Sequence, residues 1–172
     1  MNAYIAQPCS RQDLRRLAFL IRKKLCLENV LYFPVVQLLE LMSELFPRFH
    51  FEVVEDNELP GGVHADTDIE NHIIRIKRSV YDGACAGNGR DRMTIAHEIS
   101  HYLLLCVWGF RLQRNFSNGT VPKYQDPEWQ AKCFAGELLI AAHLVKELNP
   151  LEISELCGVS LLAAQTQWAR IK

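Results

Sequence analysis

The sequence has no apolar run near the roughly 18 residues that a membrane-spanning helix needs, so no span is expected. It also has no Cys-x-x-Cys pair among its six cysteines, Cys9, Cys26, Cys85, Cys106, Cys133 and Cys157, which excludes the usual zinc-ribbon and dithiol redox motifs. Cysteines scattered through apolar segments are expected as reduced core thiols, not as a disulfide framework. Neither sign of charge dominates. Nineteen Lys and Arg against 20 Asp and Glu leave a formal net charge of −1, so there is no electrostatic case for direct nucleic-acid binding. Met1 to Ser10 lacks a basic segment followed by an apolar one; no secretory leader is read there, and the expected compartment is the cytoplasm. Repeats, low-complexity tracts and linkers are absent too. A length of 172 residues, 49% hydrophobic and 23% charged, suits one globular domain over 1–172 with a sizeable core.

What is present is well punctuated. Ser10 and Asp13 mark a helix start, and Leu14, Leu17, Ala18, Ile21 and Leu25 follow at helical spacing. Pro34 opens a second helix that Pro47 stops, making 1–47 a helical N-terminal part. Phe49, Phe51 and Val53 alternate with polar residues, and 62–67 with 72–77 read as a hairpin around Asp68-Ile69-Glu70-Asn71. Residues 48–78 are therefore expected to form a small three-stranded antiparallel sheet. A Gly-rich loop at 84–89 precedes a helix expected over about 90–106, and 109–125 reads as a long exposed loop that gates a cleft. Asp126-Pro127 starts a helix expected to reach about 148, and a helix pair split at Gly158 fills 150–172. The expected class is α+β, a small sheet packed on helices.

The chemistry lies in His97-Glu98-Ile99-Ser100-His101. On a helix, positions i and i+4 share a face, so both imidazoles can bind one cation, and the adjacent Glu can polarise a water on it. Met93, Ile95, Ala96, Ile99, Leu103 and Leu104 make this helix largely buried, and two histidines and a glutamate there need partners. Hydrogen-bonded core histidines are the alternative. A catalytic zinc takes three protein ligands and leaves a position for water. Leu104 and Val107 exclude the long form of the motif with a third His on the same segment. A third ligand from a downstream helix remains; Glu128, in the first turn of the next long helix, is the leading candidate by spacing, with Asp126, Glu137 and His143 as alternatives. Tyr102, Tyr124 and His143 are candidates to stabilise an oxyanion, and His50, His64 and His72 read as structural.

Thr94-Ile95-Ala96-His97-Glu98-Ile99-Ser100-His101-Tyr102-Leu103-Leu104, followed by Glu128-Trp129-Gln130-Ala131-Lys132-Cys133-Phe134-Ala135-Gly136-Glu137-Leu138-Leu139, resembles the two motifs of the ImmA/IrrE family of metallo-endopeptidases. The resemblance spans about 90–142 and implies a compact zinc-peptidase-like fold. It further implies Zn2+ (or another divalent metal) held by His97, His101 and Glu128, with Glu98 as general base. The family's Asn is Lys132 here, which cannot accept a hydrogen bond from a ligand histidine. Its Met-Pro is Ile140-Ala141, which is expected to let the helix continue toward His143.

The resemblance implies limited cleavage of a protein substrate, typically a helix-turn-helix transcriptional repressor during a stress response. An inactive, metal-stabilised protein-binding module of the same fold is the second reading, kept open by Lys132. A small-molecule metal hydrolase is a third, which lacks the expected upstream Cys-bearing ligand motif. The C-terminal pair has a helix-turn-helix outline, but its second helix opens on Leu161-Leu162-Ala163-Ala164. A DNA-reading helix presents basic and amide residues there, so packing or partner docking is expected instead.

Overall fold

Ile73, Ile74, Arg75, Ile76 and Lys77 hold the most apolar stretch of the sheet region, and this stretch sits at the sheet's centre. The computed structural model describes residues 4–114 and 121–171. Its elements in chain order are β1 (Tyr4–Ala6), α1 (Arg11–Lys24), α2 (Val35–Leu45), β2 (His50–Val54), β3 (Ala65–Asp68), β4 (Ile73–Lys77) and α3 (Arg78–Cys85). Then come α4 (Gly89–Tyr102), a π-helical turn (Leu103–Val107), β5 (Leu112–Arg114) and a 3-10 turn (Lys123–Gln125). α5 (Pro127–Leu139), α6 (Pro150–Cys157) and α7 (Leu161–Ile171) complete the set. The class is α+β, and no helix among the described residues is long and apolar enough to cross a membrane.

The main sheet is mixed, not antiparallel throughout. Its order is β2-β4-β3. β3 pairs antiparallel with β4, with Ala65 opposite Ile76 and Asp68 opposite Ile73, as the hairpin reading requires. β2, however, runs parallel to β4, with His50 opposite Ile73 and Val54 opposite Lys77. Burial explains the arrangement. Ile74 and Ile76 are fully buried and Ile73 nearly so, which suits a central strand covered on both faces. β2 and β3 carry Glu52, Asp66 and Asp68 and take the edges, where charged side chains reach water. Alternation identifies a strand but says nothing of its direction.

Other boundaries also differ. β1 pairs antiparallel with β5, Tyr4 opposite Arg114, so the expected loop over 109–125 contains a strand and a 3-10 turn; residues 115–120 of it lie outside the described residues. α3 occupies the chain just before the expected Gly-rich loop and shortens it. α5 ends at Leu139 and does not run to 148. The cause is Arg22, buried at 0% exposure, whose Nε donates to Leu138 O at 2.8 Å and whose Nη2 donates to Leu139 O at 3.4 Å. A guanidinium from α1 thus takes carbonyls that further helical turns would have used. Its Nη1 satisfies Leu27 O and Val30 O as well.

Arg92 does the same for the C-terminal segment. It donates to Gly158 O and Phe33 O at 2.8 Å each and to Cys157 O at 3.4 Å, and its guanidinium lies 3.8 Å from the centre of the Tyr32 ring. Gly158 has φ 61, the left-handed conformation that ends α6, and a Cβ there would collide with Tyr32. Gly89, the first residue of α4, lies flush against the Val159–Ser160 backbone, leaving no room for a side chain. One buried cluster joins Leu14, Leu39, Ile74, Ile99, Phe134 and Ile153 from six different elements. Cys9, Cys133 and Cys157 are buried as core thiols, whereas Cys26 and Cys85 are exposed; all six cysteines are free.

Candidate metal centre

The helix that carries the motif starts at Asn88, whose side chain accepts from the Arg90 and Asp91 amides. Ile95, Ala96 and Ile99 are fully buried on it, and that packing fixes which way the opposite face looks. His97 and His101, one turn apart there, bring their Nε2 atoms to 3.1 Å. α5 packs across α4, and Asp126 caps it by accepting from the Glu128 amide at 2.9 Å. Gln130 anchors the same turn by donating to the Gln7 and Tyr124 carbonyls at 2.8 Å. Glu128 is thereby delivered to the histidines. Its Oε1 lies 3.2 Å from His101 Nε2 and its Oε2 lies 3.4 Å from His97 Nε2.

His97, His101 and Glu128 therefore form a cluster with ligand atoms within 4.8 Å of one another, able to hold a metal ion. The chemistry of the donor set fits a cation. Both histidines can hydrogen-bond the carboxylate only if both Nε2 atoms carry protons, and those protons would then face each other across 3.1 Å. Three lone pairs converging on one cation remove the conflict. Donors around a tetrahedral ion with bonds of about 2.0 Å stand roughly 3.3 Å apart, close to the three separations here.

Glu98 is buried beside the cluster, in a cavity of about 420 Å3 shared with His97, His101 and Glu128. Thr67 Oγ1 donates to its Oε2 at 2.7 Å and approaches its backbone carbonyl at 3.3 Å. Burial pushes the Glu98 carboxyl above its ordinary range, while the Thr67 hydrogen bond and the two histidines pull it back. Hydrogen bonds from His101 and His97 hold Glu128 far below the usual carboxylate range.

The other spacing candidates are engaged elsewhere. Asp126 serves as the N-cap. Glu137 is buried and paired with Arg11 at 3.2 Å and Arg15 at 2.8 Å. His143 Nε2 bonds Glu28 O at 2.7 Å, and its ring packs edge-on to Phe19. Of the oxyanion candidates, neither Tyr102, Tyr124 nor His143 lines the Glu98 cavity. Tyr102 is buried against Phe49 and meets His72 Nδ1 at 3.0 Å. His64 contacts Arg90, and His50 lies in β2. Thr67 and Tyr4, which do line the cavity, had no signal in the sequence. One sits in a short polar strand and the other in a three-residue strand near the N-terminus, and both reach the site only through tertiary pairing.

Lys132 stands exposed one turn beyond Glu128 on α5, and His97 Nδ1 is buried without a hydrogen-bond partner among the described residues.

No family model and no curated protein matches the chain. Among solved structures, it is similar to a chain described as a Mycobacterium tuberculosis transcriptional regulator, with a TM-score of 0.57 and 16% sequence identity. The match covers 89% of this chain but only 45% of the other, so this chain spans less than half of its neighbour's length. At that identity the likeness concerns the fold alone.

Proposed function

We propose that the protein is a zinc-dependent endopeptidase that makes limited cleavages in a protein substrate, a helix-turn-helix repressor being the class implied by the ImmA/IrrE resemblance. The observation that carries this reading is the convergence of His97, His101 and Glu128 beside a buried carboxylate, Glu98, in one open cavity. The three clustered residues would hold the ion. A divalent cation held there would supply Lewis acidity and make hydrolytic attack accessible at neutral pH. With an ion held there, Glu98, oriented by Thr67, would accept a proton at its carboxylate and pass it to the leaving amine as the C–N bond breaks. Its burial favours such a role, because a carboxylate with a raised pKa both accepts and returns a proton readily. Water is thus divided between a new carboxyl group and a new amine, with no other reactant consumed.

The test is Glu98→Gln. Purified protein is expected to carry about one equivalent of metal, and the variant to keep it while cleavage of a repressor encoded beside the gene falls at least about 100-fold. A wild-type protein that takes up no zinc, or a variant that cleaves as before, sinks the assignment.

The unpartnered His97 Nδ1 favours a second reading: a metal-stabilised module that binds a protein without cutting it. The fold neighbour's description as a transcriptional regulator suits either reading and supports neither mechanism. Measurable binding of a partner that stays intact through long incubation with zinc-loaded protein would select this one.

A further inference from the structure

A second cavity, of about 520 Å3, adjoins the histidine helix and shares only His97 with the cavity that holds Glu98. Arg11, Arg90, Lys123, Lys132 and Arg170 line it, and no Asp or Glu does. Its neighbour has the reverse composition, with Asp66, Glu98 and Glu128 but, among the described residues, no Lys or Arg. In a chain of net charge −1, such a one-sided wall concentrates positive potential in a single hollow. Arg11 turns inward to Glu137. Among the described residues, Arg90, Lys123, Lys132 and Arg170 form no ion pair, and all four are exposed. Like charges gathered around a hollow repel one another, and an anionic ligand relieves that repulsion. Trp129 adds an apolar wall right next to Glu128.

We propose that this cavity binds an acidic stretch of polypeptide, in which Asp or Glu residues flank an apolar side chain that packs on Trp129. The adjoining backbone would pass His97 into the Glu98 cavity. What happens to that backbone rests on the peptidase reading; the binding itself does not. The cations line a hollow of about 520 Å3, a size suited to side chains, which favours polypeptide over nucleic acid. α7, which contributes Arg170, opens on Leu161 and Leu162, not on base-reading residues.

The measurement is fluorescence anisotropy on zinc-loaded Glu98→Gln protein. Three labelled probes are compared: a short Asp- and Glu-rich peptide with one central Leu, its Gln analogue, and a single-stranded oligonucleotide of equal charge. The acidic peptide is expected to bind about tenfold or more tighter than the Gln analogue and to weaken as salt rises. Lys132→Glu combined with Arg170→Glu is expected to weaken it by about tenfold again, with Lys132→Gln plus Arg170→Gln intermediate. Arg16→Glu, outside the cavity, is expected to leave binding unchanged. Thermal melts of each variant establish that it folds. Equal affinity for the acidic and Gln peptides, unchanged affinity in the charge-reversed variant, or tighter binding of the oligonucleotide would overturn the proposal. An acidic peptide that binds as expected but is never cut by zinc-loaded wild-type protein supports this site and overturns the peptidase reading alone.

Discussion

His97 faces two ways, with Nε2 toward His101 and Glu128 and Nδ1 buried with no partner. A metal-ligating histidine gains basicity and a fixed tautomer when its second nitrogen donates to an acceptor, and loss of such support typically costs 10- to 100-fold in affinity, as a rough range. Lys132 lines the same cavity as His97 and has no acceptor to offer. Lys132→Asn is therefore expected to tighten zinc binding on the order of tenfold, read by competition with a chromogenic chelator. The same change removes a cation from the basic cavity, so it should weaken the acidic peptide while it strengthens the metal. Unchanged zinc affinity would show that the missing support is not what Lys132 costs. At this scale the sequence is most legible where a helix alone sets geometry: His97 and His101 follow from a four-residue spacing. Glu128 stood among four candidates, because choosing among them needs the angle at which α5 crosses α4. Thr67 was invisible, because its contact depends on a hairpin docking against a helix.

Helix starts are local events, and the chain spells them out. Ser10 with Asp13, Asn149 with Glu152, and Asp126 before Pro127 all cap as their residue types require. The end of α5 is not local, since a side chain 116 positions away supplies the hydrogen bond that replaces the next helical turn. Arg22 satisfies four carbonyls from α5 and from the segment after α1, and stacks 4.9 Å from the centre of the Phe33 ring. Burial lowers its pKa to about 10, so it stays charged at neutral pH. Arg22→Met keeps much of the volume but strands buried acceptors, and is expected to cost on the order of 3 kcal/mol in urea unfolding. A loss below about 0.5 kcal/mol would mean that water enters to replace the guanidinium. Strand direction escaped the sequence for a related reason: alternation in β2 is the same whichever way it pairs with β4.

For the molecule as a whole, net charge concealed what its distribution reveals. The five cations of the basic cavity come from α1, α4, the 3-10 turn, α5 and α7, so no window of sequence gathers them. The hydrophobic core likewise draws on elements spread over the whole chain; Leu14, Ala18, Ile95 and Ile99 were legible by local periodicity, whereas Phe33, Ile140 and Val145 lie in connecting segments that carry no period. The seat of Gly89 against Val159 and Ser160, and the grip of Arg92 on Cys157 and Gly158, tie the start of the histidine helix to the C-terminal pair. Detachment of the C-terminal pair would strip those contacts from the histidine helix, so a metal held by His97, His101 and Glu128 would report on global unfolding. Zinc release to a fluorescent chelator and loss of the native emission of Trp168, in α7, isolated in a Trp108→Phe, Trp129→Phe background, are expected to share one thermal midpoint. If the metal left well before Trp168 responded, the site would be opening on its own and the clasp at Gly89 and Arg92 would not be holding it.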